Sequence, residues 1–232
     1  MTQDNLDYYF ERADEIIYSI TEKAEKAEAL LLLQRDIVHS QRDKNSNYFY
    51  LLGYIGYFTG NLSAANEAYF TKALAMDSDN EWAKYYYGFF LADSQRYVEA
   101  LKVLDSIDFD YFQELDMTWR VLKGKELAVA SALYISGKPD EEHLKEKVTD
   151  WLMEYLAVIH SDSDNYNYPG DIISALYDFI VRTPDALSLQ TAVSILIRIM
   201  DRFGLASAYS TEYQFFASFA GEDKGEDCQL NP

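Results

Sequence analysis

An all-α fold built from successive antiparallel helix pairs is what this 232-residue sequence predicts, and three observations carry that expectation. Apolar residues recur at three and four: Leu189, Val193, Leu196, Met200 and Phe203 fall on one helical face. Strand signals are missing, since no hairpin dipeptide lies between alternating Val, Ile or Thr, and Gly and Pro stand mostly between helical stretches. Residues 46–80 and 81–114 are self-similar, aligning Tyr50 with Tyr85, Gly53 with Gly88, Tyr54 with Phe89 and Ala65 with Ala100.

Taken in order, the periodic segments predict helices over 4–20, 22–39, 46–59, 62–76, 80–93, 97–107, 115–136, 140–159, 171–182, 184–203 and 205–219. A Ser19-to-Glu22 capping box is the only break between the first two, which could otherwise run as one. Later starts have clearer signals: Asp140 after Pro139 and before two glutamates, Asp171 after Pro169-Gly170, and Thr183 before Pro184 and Asp185. The polar, turn-rich run 160–170 reads as a long loop. The acidic tail 221–232, with Leu230 its only large apolar residue, reads as disordered. The rest, 1–220, is expected to form a single helical-repeat domain with 46–114 at its centre.

Within the repeated stretch, small residues recur where helices could touch. A helical glycine costs about 1 kcal/mol relative to alanine, so Gly53 and Gly88 at matched places imply a close helix approach that offsets the cost. Ala65, Tyr69 and Ala73 form a stripe on the second helix of one unit, and Ala100, Leu104 and Ile107 its counterpart in the next. One residue more in the first unit is placed inside its second helix.

These residues resemble the tetratricopeptide repeat, whose pattern runs aromatic, Leu-Gly, Ala, aromatic, Ala, Pro. The first unit supplies Phe49, Leu52-Gly53, Ala65, Tyr69 and Ala73; the second supplies Lys84, Tyr87-Gly88, Ala100, Leu104 and Ile107. Ser78 stands where the family has its proline, Gly56 where it has tyrosine, and Lys84 where it has an aromatic. The resemblance implies a right-handed α-solenoid, with 4–39 capping one end and 171–219 the other.

Composition narrows the function. With 20 basic and 39 acidic residues the net charge is −19, which argues against nucleic acid and anionic membranes as partners, because both require clustered Lys and Arg. The polar, acidic N-terminus lacks signal-peptide features, and no apolar run approaches the ~20 residues of a bilayer span. A cytoplasmic location is the expectation. The lone Cys228 gives neither a disulfide framework nor a cysteine zinc site.

Catalytic patterns are thin. His39, His143 and His160 are scattered without metal-ligand spacing. Phosphate-binding glycine loops and a Gly-x-Ser-x-Gly elbow are missing. The run Asp162-Ser163-Asp164-Asn165 begins like a calcium loop but lacks its glycine and its final acid, where Ile173 stands. No enzyme activity, cofactor or metal is expected.

Aromatic residues point elsewhere. The chain has 20 Tyr, 13 Phe and 3 Trp, too many in the repeat for one helix face to bury. The resemblance places Asn47, Tyr50, Tyr54, Tyr57 and Phe58, then Trp82, Tyr85, Phe89 and Asp93, along a concave groove. That implies a non-catalytic adaptor or chaperone holding a basic peptide or protein. The alternative is an immunity-type inhibitor sequestering a basic toxin or nuclease; an enzyme with an unrecognised site ranks third. As groove residues, Tyr54 and Tyr85 are expected to tolerate alanine with little effect on folding.

Overall fold

The computed structural model describes residues 4–40, 43–136, 144–161, 169–183 and 189–221. The helix starts expected at Asp140 and Pro184, His143, the calcium-like run and the tail beyond Gly221 lie outside them. Twelve helices occur among the described residues: α1 Asp4–Ser19, α2 Lys23–His39, α3 Ser46–Phe58, α4 Ala64–Met76, α5 Glu81–Asp93, α6 Tyr97–Leu104, α7 Phe109–Glu114, α8 Thr118–Ile135, α9 Leu144–Ser161, α10 Gly170–Arg182, α11 Gln190–Arg202 and α12 Ser210–Ala220. The all-α expectation holds. The short α7 fell in a gap between expected helices, and α12 starts five residues later than expected. Helices α1 and α2 are separate, but Glu22, not Ser19, caps the second, its carboxylate accepting the Glu25 N–H.

Side-chain caps set the frame of the repeats. Asn45, Ser63 and Asn80 accept the backbone N–H of Tyr48, Asn66 and Ala83, which starts α3, α4 and α5. Asn80 also ties successive units together: its Nδ2 donates to Ser46 Oγ at 2.9 Å and to Asn47 Oδ1 at 3.0 Å, while Ser46 Oγ donates to the Ala73 carbonyl. This side-chain lock lies just after Ser78, where the family's proline would stand. Gly60 and Gln95 end the first helices of the two units with left-handed φ of 76° and 59°. Only the first position uses the residue that takes this conformation without steric cost.

Internal contacts divide the chain into two compact units, 1–111 and 112–232. In the first, α3 packs on α4 and α2, and α5 on α6 and α4, so three helix pairs follow one another. The small residues lie at the pair crossings. A Cβ on Gly53 would meet the Phe70 ring at 3.0 Å, and one on Gly88 would meet Leu104 Cδ2 at 2.5 Å.

The structure corrects the stripe on α4. Asn66, Phe70 and Ala73 are the buried residues of this helix, whereas Ala65 is exposed. They match Ala100, Leu104 and Ile107, all buried, at a separation one residue shorter than the first helices show. The additional residue of the first unit therefore lies in the turn between α3 and α4. A longer turn leaves the packing face of α4 intact, whereas an insertion within the helix would rotate that face by about 100°.

Charged side chains brace the same unit. Glu67 on α4 accepts from the Tyr87 hydroxyl on α5 and from Arg96 in the next turn, each at 2.8 Å. Buried Glu81 takes the Lys84 ammonium at 2.7 Å and the Asp108 N–H at 2.9 Å. Lys84 also donates to the Ser106 carbonyl. The lysine that replaces the family's aromatic thus neutralises a buried carboxylate.

In the second unit α8 packs against α9 and α10, and α11 against α9 and α12. Arg182 donates to the carbonyls of Leu133 and Tyr134 near the end of α8, and Arg202 to those of Ile159 and His160 near the end of α9. A guanidinium on a neighbouring helix thereby satisfies carbonyls that a helix terminus leaves unpaired. Glu126, fully buried, accepts from Lys123 and from the Asp171 N–H at the start of α10.

Gly88→Ala should lower stability by about 1 kcal/mol. Overpacking of ~1–3 kcal/mol exceeds the helix-propensity gain of ~1 kcal/mol, and Gly88→Leu should cost more. Urea denaturation measures both. An unchanged midpoint would mean that α5 and α6 do not cross there.

A second expectation concerns acid. The bond from Arg96 holds the Glu67 carboxyl below its ordinary 4.5, so its folded pKa is depressed. Its contribution is present above pH 4.5 and is lost as pH falls through the folded value. Denaturation between about pH 6 and pH 3 should show a smaller loss of stability in Glu67→Gln than in the native chain. Equal losses would remove Glu67 from the acid response.

Candidate partner-binding face

Helices α1, α3 and α5 bring their aromatic residues together. α3 carries Tyr50, Tyr54, Tyr57 and Phe58; α5 carries Trp82, Tyr85, Tyr86 and Phe89; α1 adds Phe10, stacked on Tyr50 with ring centroids 5.4 Å apart. Tyr86 is the centre. Its ring lies 4.6 Å from Tyr54, 5.8 Å from Phe58, 5.3 Å from Tyr85 and 6.2–6.3 Å from Tyr50, Tyr57 and Phe89.

The residues expected along the groove separate into two layers. Tyr50, Tyr54 and Tyr85 are only 2–5% exposed, so their rings form a floor between helices. Tyr57, Phe58, Trp82 and Phe89 are half-buried and reach the surface. Asp93 is exposed at the end of α5. Asn47, also exposed, accepts from Asn80 as part of the lock between units.

Two residues that the sequence reading left out complete the face. Tyr86, 4% exposed, fastens α5 to α3. Asp14 on α1 accepts the Tyr54 hydroxyl at 2.6 Å. Both had a signal: Tyr86 adjoins a matched aromatic on a helix too rich in rings for one face, and Asp14 follows Phe10 by four, which puts them on one side of α1.

Hydroxyl groups on one helix turn reach to opposite neighbours. Tyr54 donates to Asp14 on α1, and Tyr57, three residues later, donates to Asp93 on α5 at 2.7 Å. Burial pushes the Tyr54 phenol far above its ordinary value, with the neighbouring Tyr86 adding to the effect. The phenol therefore stays neutral and donates. Near the start of α5, Trp82 Nε1–H donates to the Tyr111 hydroxyl at 3.2 Å, fixing the indole. The face offers apolar ring surface beside exposed carboxylates, a chemistry of recognition.

Residues 59–117, from the turn after α3 to the residue before α8, match the family model for the tetratricopeptide repeat. No curated protein matches the chain. Among solved structures, one titled "MamA RS-1 ArsTM double mutant" is 14% identical, covering 97% of this chain and 99% of that one. Its TM-score is 0.39, so the two backbones differ too far for the likeness to describe how this chain is arranged. Among the described residues no helix is long and apolar enough to cross a membrane.

Burial of the floor reverses the expectation that Tyr54 and Tyr85 tolerate alanine. Tyr54→Ala should destabilise by about 3–5 kcal/mol, as for other large buried aromatics, whereas Tyr54→Phe should cost about 1 kcal/mol by deleting one hydrogen bond. Thermal melts of the two variants measure the difference. Native-like stability of Tyr54→Ala would place the ring at the surface.

Proposed function

We propose that this chain, which carries tetratricopeptide-repeat sequence at its centre, is a non-catalytic interaction module that holds an extended basic segment of a protein partner against α1, α3 and α5. One observation carries the reading: Tyr57, Phe58, Trp82 and Phe89 rise half-exposed from a floor of buried rings, with the exposed carboxylates of Asp14 and Asp93 alongside. A rigid floor matters because rings already held in place lose little freedom when a partner covers them. Two χ angles per aromatic side chain keep that loss small, and the apolar area supplies the attraction.

Charge selects the partner. A chain of net charge −19 attracts cations and repels acidic segments. Screening over roughly 8–10 Å at physiological salt makes that attraction sensitive to ionic strength. Four half-buried rings on two neighbouring helices make a narrow strip, which suits an extended segment better than the ~800 Å² per partner of a standard folded interface. That comparison favours an adaptor or chaperone over an inhibitor that sequesters a folded toxin.

The test uses the full chain and a dye-labelled decapeptide of alternating cationic and leucine residues. Binding should weaken as salt rises, and Phe89→Ala should weaken it by at least ~1 kcal/mol while the melt stays close to native. Affinity that ignores both salt and Phe89 would show that the peptide sits elsewhere.

A further inference from the structure

Helix α2 packs on α1 and α3 through one side, and its outer side mixes apolar residues with charge. Leu31, Leu32 and Val38 are 51%, 50% and 48% exposed there, and Ala24, Glu28 and Arg35 are exposed with them. The helical repeat gives these six a two-fold pattern. Glu28 and Arg35 are seven residues apart, which brings them within about 20° of one line along the helix. Leu31 and Leu32 lie midway between them in height, about 50° to either side of that line. Ala24 and Val38 extend the Leu31 side by about two turns in each direction. Along α2 the two charged residues are about 10 Å apart, too far to pair with each other, and no ion pair among the described residues involves either.

We propose that the outer side of α2 docks a second copy of this chain, as an antiparallel helix pair about a two-fold axis between residues 31 and 32. Such an axis reverses height and keeps each side. Glu28 of one copy therefore faces Arg35 of the other, twice over, while Leu31 meets Leu31 and Leu32 meets Leu32. Ala24 of each copy stands beside Val38 of the other. Charge complementarity selects this occupant. A carboxylate and a guanidinium at equal distances from the leucines satisfy each other when the two helices are the same and run in opposite directions. Run in parallel, the two copies would set Glu28 against Glu28 and Arg35 against Arg35. A uniformly basic or acidic helix would match one of the two charges and oppose the other. One helix per copy buries less than the ~800 Å² per partner of a standard interface, so the dimer is weak and forms at high protein concentration. The net charge of −19 on each copy opposes it further at low salt.

Sedimentation equilibrium of the full chain at physiological salt, from micromolar to near-millimolar protein, tests the docking. The mean mass should rise from that of one chain toward that of two. Glu28→Arg should weaken association at least tenfold by setting like charges together, although it makes the chain less negative. Arg35→Glu should do the same. An equimolar mixture of the two variants should regain native association, because each copy then supplies the charge that the other lacks at both contacts. Leu31→Gln combined with Leu32→Gln should weaken association about tenfold as well.

Melts establish that each variant is folded, and the charge variants decide the matter if the leucine variant unfolds. A native chain that stays monomeric throughout would overturn the proposal. So would native or stronger association of either single charge variant, which would place the contact on another surface. A mixture that associates no better than its components would overturn the antiparallel pairing. The docking side belongs to α2, so each of these outcomes leaves peptide binding at Phe89 to its own test.

Discussion

The structure of the first unit depends on how closely the two helices of a pair approach. At Gly88 there is no space for a Cβ, because Leu104 fills it, and at Gly53 the Phe70 ring does the same. These contacts set the spacing of each pair. The caps at Asn45, Ser63 and Asn80 then set where each helix begins, and the Asn80 lock to Ser46 and Asn47 joins one pair to the next. With spacing and start both fixed, α3 and α5 lie side by side and their tyrosines must interdigitate.

That packing explains why an aromatic-rich sequence does not present all its rings to solvent. Tyr50, Tyr54, Tyr85 and Tyr86 are spent on joining helices, and the Tyr54 hydroxyl finds the Asp14 carboxylate. Phe58, Tyr57, Trp82 and Phe89 sit one layer above. They stay half-exposed, while Tyr50 and Tyr54, one turn apart on α3, are both buried beside Tyr86. A surface built in this way is held in place by the same contacts that stabilise the fold.

Much of this was legible in the sequence, and the illegible parts share a cause. Gly53 and Gly88 were readable because a helical glycine has a local cost that calls for a nearby helix. The α4 stripe was misplaced by one because alignment of two units cannot tell an added turn residue from an added helix residue; only burial of Asn66 and exposure of Ala65 separate them. Family geometry assigns Tyr54 and Tyr85 to a surface, yet both pack against Tyr86, which lies outside the matched positions, and Tyr54 also bonds Asp14 on α1. Asp14 was missed for the same reason: it precedes in sequence the repeat it serves. The division after Tyr111 falls within α7, a helix that the periodicity does not predict.

Acidic residues in this chain do two kinds of physical work, and the distinction bears on where its negative charge is felt. Glu67, Glu81 and Glu126 are bonded to Arg96, Lys84 and Lys123, so each charge is largely cancelled at short range and the gain goes into joining helices. Asp14 and Asp93 take hydrogen bonds from tyrosines. A phenol hydrogen bond fixes the direction of a carboxylate as well as joining two elements. The same two bonds that tie α3 to α1 and to α5 therefore set how the carboxylates of Asp14 and Asp93 stand beside the aromatic face.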